Sequence, residues 1–421
     1  MSKLKEYKFD ELYTISSGIS TKPTQAGHGT PFLSFSTIFN NPVLPEKLDD
    51  KMDTNVEEQE KYSVKQGDIF LTRTSETLDE LAMSSVAFKD YPEATFSGFA
   101  KRLRPIQNNI TYYRFMAFYL RSPYFRKIID ANASMTLRAS FSEDTFSNLY
   151  IQLPDFKVQV QIGDFFWSIE KKIRNNNKIS IELESLARTV YDYWFLQFDF
   201  PDEKGRPYRS SGGRMVYNEE LKSEIPEGWE AKKLRDISTL LMNTVNPYDN
   251  PDKEYLHYSI PAFDDTGYPS IELGEEISSG KYIVPDDSIL VSKLNPQFKR
   301  VWSPQVNGNN CICSTEFIPF VAINKEIHGY LYSVLDSDSF QQYMMQCSSS
   351  STGSRKRMQP ELCGDFTIAY PKDKKIIEKF SRFIDRILSK KANCSVENQQ
   401  LTSLRDFLLP LLMNGQVTFK H

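Results

Sequence analysis

The sequence predicts an α+β fold: two repeated, mainly-β domains with some helix, each followed by a long helix, the two helices pairing as an antiparallel coiled coil. Three observations lead there. The chain repeats itself at a displacement near 220 residues, a heptad stripe follows each copy, and a linker containing Gly and Ser separates the copies. The expected boundaries are 1–155 for the first domain, 156–200 for its helix, 201–225 for the linker, 226–372 for the second domain and 373–421 for its helix and tail.

Each copy opens on a similar pattern of aromatic, basic, apolar and acidic positions, EYKFDELYTISSG at 6–18 and WEAKKLRDISTLL at 229–241. In the first copy GTPFLSFSTIF (29–39), QGDIFLTRT (66–74) and ATFSGFAKRLRP (94–105) are short runs of β-formers bounded by Gly or Pro. The stretch 111–133 has apolar spacing near 3.6 and reads as one or two helices. The second copy keeps this order with EYLHYSIPAF (254–263), DSILVSKL (287–294), CICSTEFIPFVA (311–322) and a helical stretch at 329–346. Placing Ile69 on Ile289 also places Arg73 on Lys293, a displacement of 220 residues. Setting Pro154 on Pro371, a displacement of 217, brings Arg138 onto Arg355 and Ile151 onto Ile368.

The helical segments match by period more than by letter. With a displacement of 218, Ile162, Ile169, Asn176, Leu183 and Val190 fall on Phe380, Ile387, Cys394, Leu401 and Leu408. Positions three residues later, among them Ile179, Leu186 and Leu404, complete an a/d stripe. An unbroken helix over 380–411 would be roughly 50 Å long at 1.5 Å per residue, more than one small domain needs. Asn175, Asn176 and Asn177, and the stretch 391–397, are the places where either helix could break. The linker gives the chain the freedom to return along the first helix, which favours antiparallel pairing.

Bulk composition excludes several function classes. Of 421 residues 40% are hydrophobic and 25% charged, and the net charge is −4, so nothing global draws the chain to a polyanion. DNA binding would rest on local stripes of Lys and Arg, with partner subunits supplying part of the phosphate neutralisation. No apolar run reaches the ~20 residues of a bilayer span and no secretory pattern opens the sequence, so no membrane association and a cytoplasmic location are expected. Five cysteines and four histidines lack zinc spacing and read as buried thiols and scattered imidazoles. A GxxxxGK[ST] phosphate loop, an Asn/Asp-Pro-Pro-aromatic run and a G-x-G-x-x-G fingerprint are all absent from the sequence, so a non-catalytic chain is expected.

The segment FPDEKGRPYRSSGGRMVYNEELKSEIPEGWE (200–230), with LTSLRDFLLPLLMNGQV (401–417), closely resembles the central and C-terminal conserved regions of the DNA-specificity subunit of type I restriction-modification enzymes. The resemblance covers essentially the whole chain. It implies two target-recognition domains, each reading one half of a gapped, bipartite double-stranded DNA sequence, held by an antiparallel helix pair. It also implies two methyltransferase (modification) subunits docked on those helices, and restriction/translocase subunits in the full complex. No cofactor is expected on this chain; S-adenosylmethionine, ATP and Mg are expected on the partner subunits. Two alternatives stay open, a specificity subunit for a methyltransferase without restriction and a coiled-coil adaptor for a non-DNA ligand.

Candidate DNA contacts follow from charge and loop placement. Arg355, Lys356 and Arg357, after SSSSTGS, form the densest basic cluster of the second copy, and Arg138 is the matching residue of the first. Arg73 and Lys293 end matched strands, and Lys101, Arg102 and Arg104 crowd a strand before Pro105. Arginine reads guanine through two parallel hydrogen bonds, whereas lysine more often holds phosphate.

Overall fold

The computed structural model describes residues 4–20, 23–75, 80–132, 134–135, 139–140, 145–146, 148–304, 310–349 and 355–417. The chain divides into two compact units, Met1–Ile173 with Gln400–His421, and Arg174–Gln399. Each unit therefore combines one β-rich copy with parts of both long helices.

The two copies share the pairing of their central strands residue for residue, although among the described residues the second extends one sheet to five strands where the first has three. In the first, Lys5–Lys8 pairs antiparallel with Tyr150–Leu153, and Tyr13–Ser17 lies beside Ala100–Pro105, which in turn borders Ile69–Thr72. In the second, Trp229–Lys233 pairs with Thr367–Pro371, Ser238–Leu240 with Phe317–Ala322, and that strand with Ser288–Ser292. Register is preserved through the diverged letters. Ile69 opposes Leu103 as Ile289 opposes Phe320, and the parallel pair Phe32 and Thr95 becomes His257 and Ile312. Short helices follow in the same order, Tyr113–Tyr119 and Pro123–Asn132 in one copy, His328–Leu335 and Asp338–Gln346 in the other.

One close contact shows how the copies diverged without changing shape. Gly163 of the first long helix sits so near the backbone of Arg114 and Phe115 that a Cβ would lie 2.6 Å from the Phe115 nitrogen. At the matching contact in the second copy the small residue is on the other partner. Gly329 of the short helix faces Ser381 of the second long helix, where a Cβ would meet the Ser381 carbonyl at 2.5 Å. Ser381 Oγ also accepts the Tyr330 N–H at 3.0 Å. Interior packing requires one glycine at this crossing, and either helix can supply it.

The long helices run without a break, Phe156–Tyr191 continuing into a π-helical turn at Asp192–Leu196, and Lys374–Met413. The Asn175–Asn177 run and the stretch 391–397, where breaks were possible, are both helical. Their pairing is antiparallel. In the second unit Glu184 forms an ion pair with Lys391, while Asn176 Nδ2 donates to Glu397 Oε2 and Asn398 Oδ1, both at 2.9 Å; in the first unit Glu170 lies 3.8 Å from Arg405. Partner numbers on one helix thus rise as those on the other fall. Asn176 is 1% exposed, so this polar triplet is part of a buried seam, where an unmet amide would cost ~1–3 kcal/mol.

The seam itself differs from the expected a/d stripe in one row. The a row is placed inward: Ile162, Ile169, Asn176, Phe380, Ile387 and Cys394 are buried, and Leu183, Val190, Leu401 and Leu408 are half-buried. The row three residues later is not the second half of the seam. Leu186 and Leu404, expected there, are 45% and 44% exposed, whereas Ile179 is half-buried as Leu183 is. The partner row stands four residues after a: Phe166, Ile173, Ser180, Ala187 and Trp194 on one helix, Ile384, Lys391, Asn398, Arg405 and Leu412 on the other, all buried or half-buried. A row spaced by seven accepts a companion at either three or four residues. Apolar side chains at 186 and 404 favour the wrong choice because the true row is polar in its middle.

The helices also close the cores of the heads. Ile162, Phe166 and Ile169, with Leu412 and Met413, join Phe9, Phe115, Phe125 and Phe146 in the core of the first unit. In the second unit Tyr191, Phe195, Ile377, Phe380 and Ile384 join Trp229, Leu331, Phe320 and Ile368. The stripes therefore serve both as a helix–helix seam and as the floor of each head. Among the described residues no helix is long and apolar enough to cross a membrane.

Candidate nucleic-acid interface

In both copies the central strand runs out into a loop that pairs with the segment carrying the basic candidates. In the first unit Ile69–Thr72 ends at the exposed Arg73, and Thr74–Ser75 then pairs with Ala139–Ser140 in the register Thr74 to Ser140. In the second, Ser288–Ser292 ends at Lys293, and Leu294 bridges Arg357. Displacements of 220 and 217 carry the first pairing onto the second. Residues far apart in sequence, Arg73 with the strand Ala139–Ser140 and Lys293 with Arg357, are thereby brought to one place in each unit.

Backbone bonds fix the second loop. The Met358 N–H donates to the Lys293 carbonyl at 3.0 Å, and the Asn295 N–H to the Lys356 carbonyl at 2.7 Å. Asn295 Oδ1 accepts the Lys356 N–H at 3.0 Å, from a backbone with φ of +50°. Asn tolerates that left-handed conformation better than most residues, and its side chain doubles as a clamp on the basic loop. Arg357 is engaged: its Nη2 lies 2.8 Å and its Nε 3.1 Å from the Glu316 carboxylate. Arg355 and Lys356 are exposed. Arg138 lies outside the described residues.

The three basic residues before Pro105 are placed differently. Lys101 is 6% exposed and its Nζ donates to Ser17 Oγ at 2.7 Å. Arg102 is 8% exposed, gives Nη1 to the Ser63 carbonyl at 2.7 Å and lies over the Phe96 ring; its burial pulls the guanidinium below its ordinary pKa. Arg104 gives Nε and Nη2 to the two oxygens of Asp68, 2.7 and 2.6 Å away, and that hydrogen-bonded pair raises its pKa. Arg102 and Arg104 brace the sheet against the 61–68 segment, and Lys101 ties to the adjacent strand, instead of reaching outward. In the second copy the matching positions are Ile318, Pro319 and Val321, as an interior role allows.

Sequence reasoning passed over the turn that abuts Arg73 and Lys293. Phe99 and Glu316 occupy it in the two copies, and the available signal was the matched serine two residues earlier, Ser97 and Ser314. The cysteines remain thiols, with burial pushing those of Cys313 and Cys363 up to about 12. Among the described residues no group of three His, Cys, Asp or Glu could hold a metal ion.

A shared scaffold with loop-borne side chains that differ between copies defines a tandem recognition protein. A family model described as type I restriction modification DNA specificity domain matches residues 1–185 and again 226–398. The chain is 23% identical to the type I restriction enzyme HindI specificity subunit of Haemophilus influenzae, an alignment covering 99% of this chain and 100% of the relative. It is also 23% identical to the MjaIX specificity subunit of Methanocaldococcus jannaschii, over 79% of this chain and 74% of that one. Its fold is similar to that of the type I restriction-modification S subunit from M. genitalium, with a TM-score of 0.63 at 14% identity, covering 98% and 96% of the two chains. The chain belongs to the type I restriction-modification DNA-specificity family, and its function is DNA target recognition.

Proposed function

We propose that the chain reads a gapped, asymmetric DNA target, one half with residues 1–155 and the other with residues 226–372, as the non-catalytic subunit of a type I complex. The observation that carries this reading is the pair of matched clusters, Arg73 with the strand Ala139–Ser140 and Lys293 with the loop of Arg355 to Arg357, built on one backbone scheme but bearing different side chains. Two copies that differ at their loops select two different half-sites. Catalysis then belongs to partners: two methyltransferase subunits carrying S-adenosylmethionine, and restriction subunits using ATP and Mg. The apolar side chains left outside the seam support docking of the methyltransferases on the long helices. Ile181, Leu186 and Val396 of the second unit are 67%, 45% and 37% exposed, and Leu404 and Phe407 of the first are 44% and 67% exposed. Exposed apolar rows of this kind mark association surfaces.

The test is to assemble the chain with its two methyltransferase subunits and map methylated adenines. Two separated, unlike half-sites are expected; a continuous target, or methyl transfer by this chain alone, would overturn the reading. Arg355→Ala should then relax choice at one position of the half read by 226–372, at a cost of ~1–3 kcal/mol for a lost base contact. A phosphate contact would instead weaken all sequences alike.

A further inference from the structure

Phe99 is 64% exposed, a large apolar side chain with no place in any of the three core clusters of its unit. Its backbone is tied by hydrogen bonds on both sides. Ser97 Oγ accepts the Phe99 N–H at 3.2 Å, the Phe99 carbonyl accepts the Arg73 N–H at 2.9 Å, and the Ser97 N–H donates to the Leu33 carbonyl at 3.0 Å. Gly98 at the middle of the turn has room for nothing larger without displacing a neighbour, since a Cβ there would stand 2.9 Å from the Ile19 carbonyl.

The second copy builds the same turn around Glu316. Ser314 Oγ accepts the Glu316 N–H at 3.3 Å, the Glu316 carbonyl accepts the Lys293 N–H at 2.9 Å, and the Ser314 N–H donates to the Tyr258 carbonyl at 3.0 Å. Three matched bonds present two unlike side chains at one point, each adjoining the first residue of its basic loop. In one copy that point carries an exposed aromatic side chain whose backbone carbonyl holds the Arg73 N–H; in the other it carries a carboxylate bound to Arg357. A surface that docked the same partner protein on both copies would need like chemistry at both turns. Unlike chemistry on an identical backbone is what two different half-sites require.

We propose that the turn residue at these matched positions is a base-reading determinant, with Phe99 packing on the 5-methyl group of a thymine in the first half-site and Glu316 orienting Arg357 toward a base edge in the second. The inference rests on the DNA-reading role assigned above to the two loop clusters. Apolar side chains distinguish thymine from the other bases through that methyl group, the one apolar projection in the major groove, whereas a carboxylate accepts from the cytosine amine and a guanidinium donates to guanine.

The experiment uses the chain assembled with its methyltransferase subunits and duplexes carrying the mapped target, in which each thymine is replaced in turn by deoxyuridine. One position in the first half should lose about fourfold in methylation efficiency, the worth of one buried methyl-sized group. Phe99→Ala should abolish that thymine-to-uracil difference while leaving the second half-site unaffected. Phe99→Glu should move the preference at the same position toward cytosine. The ring is exposed, so both variants should retain wild-type melting. Unchanged base preferences in both variants, an equal loss at both half-sites, or weakened subunit assembly with unaltered base choice would overturn the proposal while leaving the two-half-site reading intact. Absence of two half-sites in the wild-type map would instead remove the reading beneath it.

Discussion

Phe380→Ala should destabilise the second unit by about 3–5 kcal/mol, the range for deleting a fully buried aromatic ring from a close-packed core. Phe380 is completely buried, and its ring meets Phe195 edge-on at 4.8 Å with Trp194 at 5.6 Å, Tyr191 at 6.2 Å and Tyr330 at 6.5 Å. Those partners come from the end of the first long helix and from the head. The ring thus ties together three elements whose association no backbone pairing enforces. Denaturant unfolding, with hydrogen exchange followed over 226–372, should show the head losing protection together with the helix pair. Should exchange rise only in the helices, the seam would be separable from the head, and the shared core described above would be wrong. Leu186→Ala, a change on the exposed side of the same helix pair, is the control and should stay within ~0.5 kcal/mol.

The repeat was legible in the sequence because strand registers must be kept when a fold is duplicated. Ile69 on Ile289 and Pro154 on Pro371 suffice to locate the matched sheets, and the structure extends that match to register pairs whose letters have diverged entirely, such as Phe32–Thr95 and His257–Ile312. The a row of the helices was legible for the same reason. Its companion row was not, since the seam holds Ser180, Lys391, Asn398 and Arg405 inward while Leu186 and Leu404 face out. Apolarity reports the core only where a helix has one buried side. Here a second apolar face competes with the seam, and an additional partner would account for it.

Charge was a poorer guide to the candidate interface than position was. Lys101, Arg102 and Arg104 make the densest basic run of the first copy, yet strand alternation and the neighbouring 61–68 segment turn them to internal acceptors. Arg73 and Lys293, single residues found by matching the copies, each stand where the central strand of their own copy runs out into its loop. A lone basic residue at a repeated place marks a backbone position that both copies keep, which a cluster at an unrepeated one does not.

Replacing Arg104 by Met should cost about 3 kcal/mol of stability in the first unit, because removing one partner strands a buried carboxylate. Asp68 is 1% exposed, receives both Arg104 donors and also accepts the Lys65 N–H at 2.8 Å. With the guanidinium gone, its two oxygens keep one backbone partner and little water. The Arg104 head is itself partly solvated, 30% exposed, so most of the penalty falls on the aspartate. Asp68→Asn in the Arg104→Met background removes the stranded charge and should recover part of the loss, giving a strong coupling in a double-mutant cycle, as residues in direct contact do. Sequence choice in the methylation map should be unchanged in both variants once folded at low temperature. A stable Arg104→Met protein with relaxed choice in the first half-site would reverse this assignment: the strand before Pro105 would then be a reading element, and its ion pair with Asp68 a resting state of the free protein.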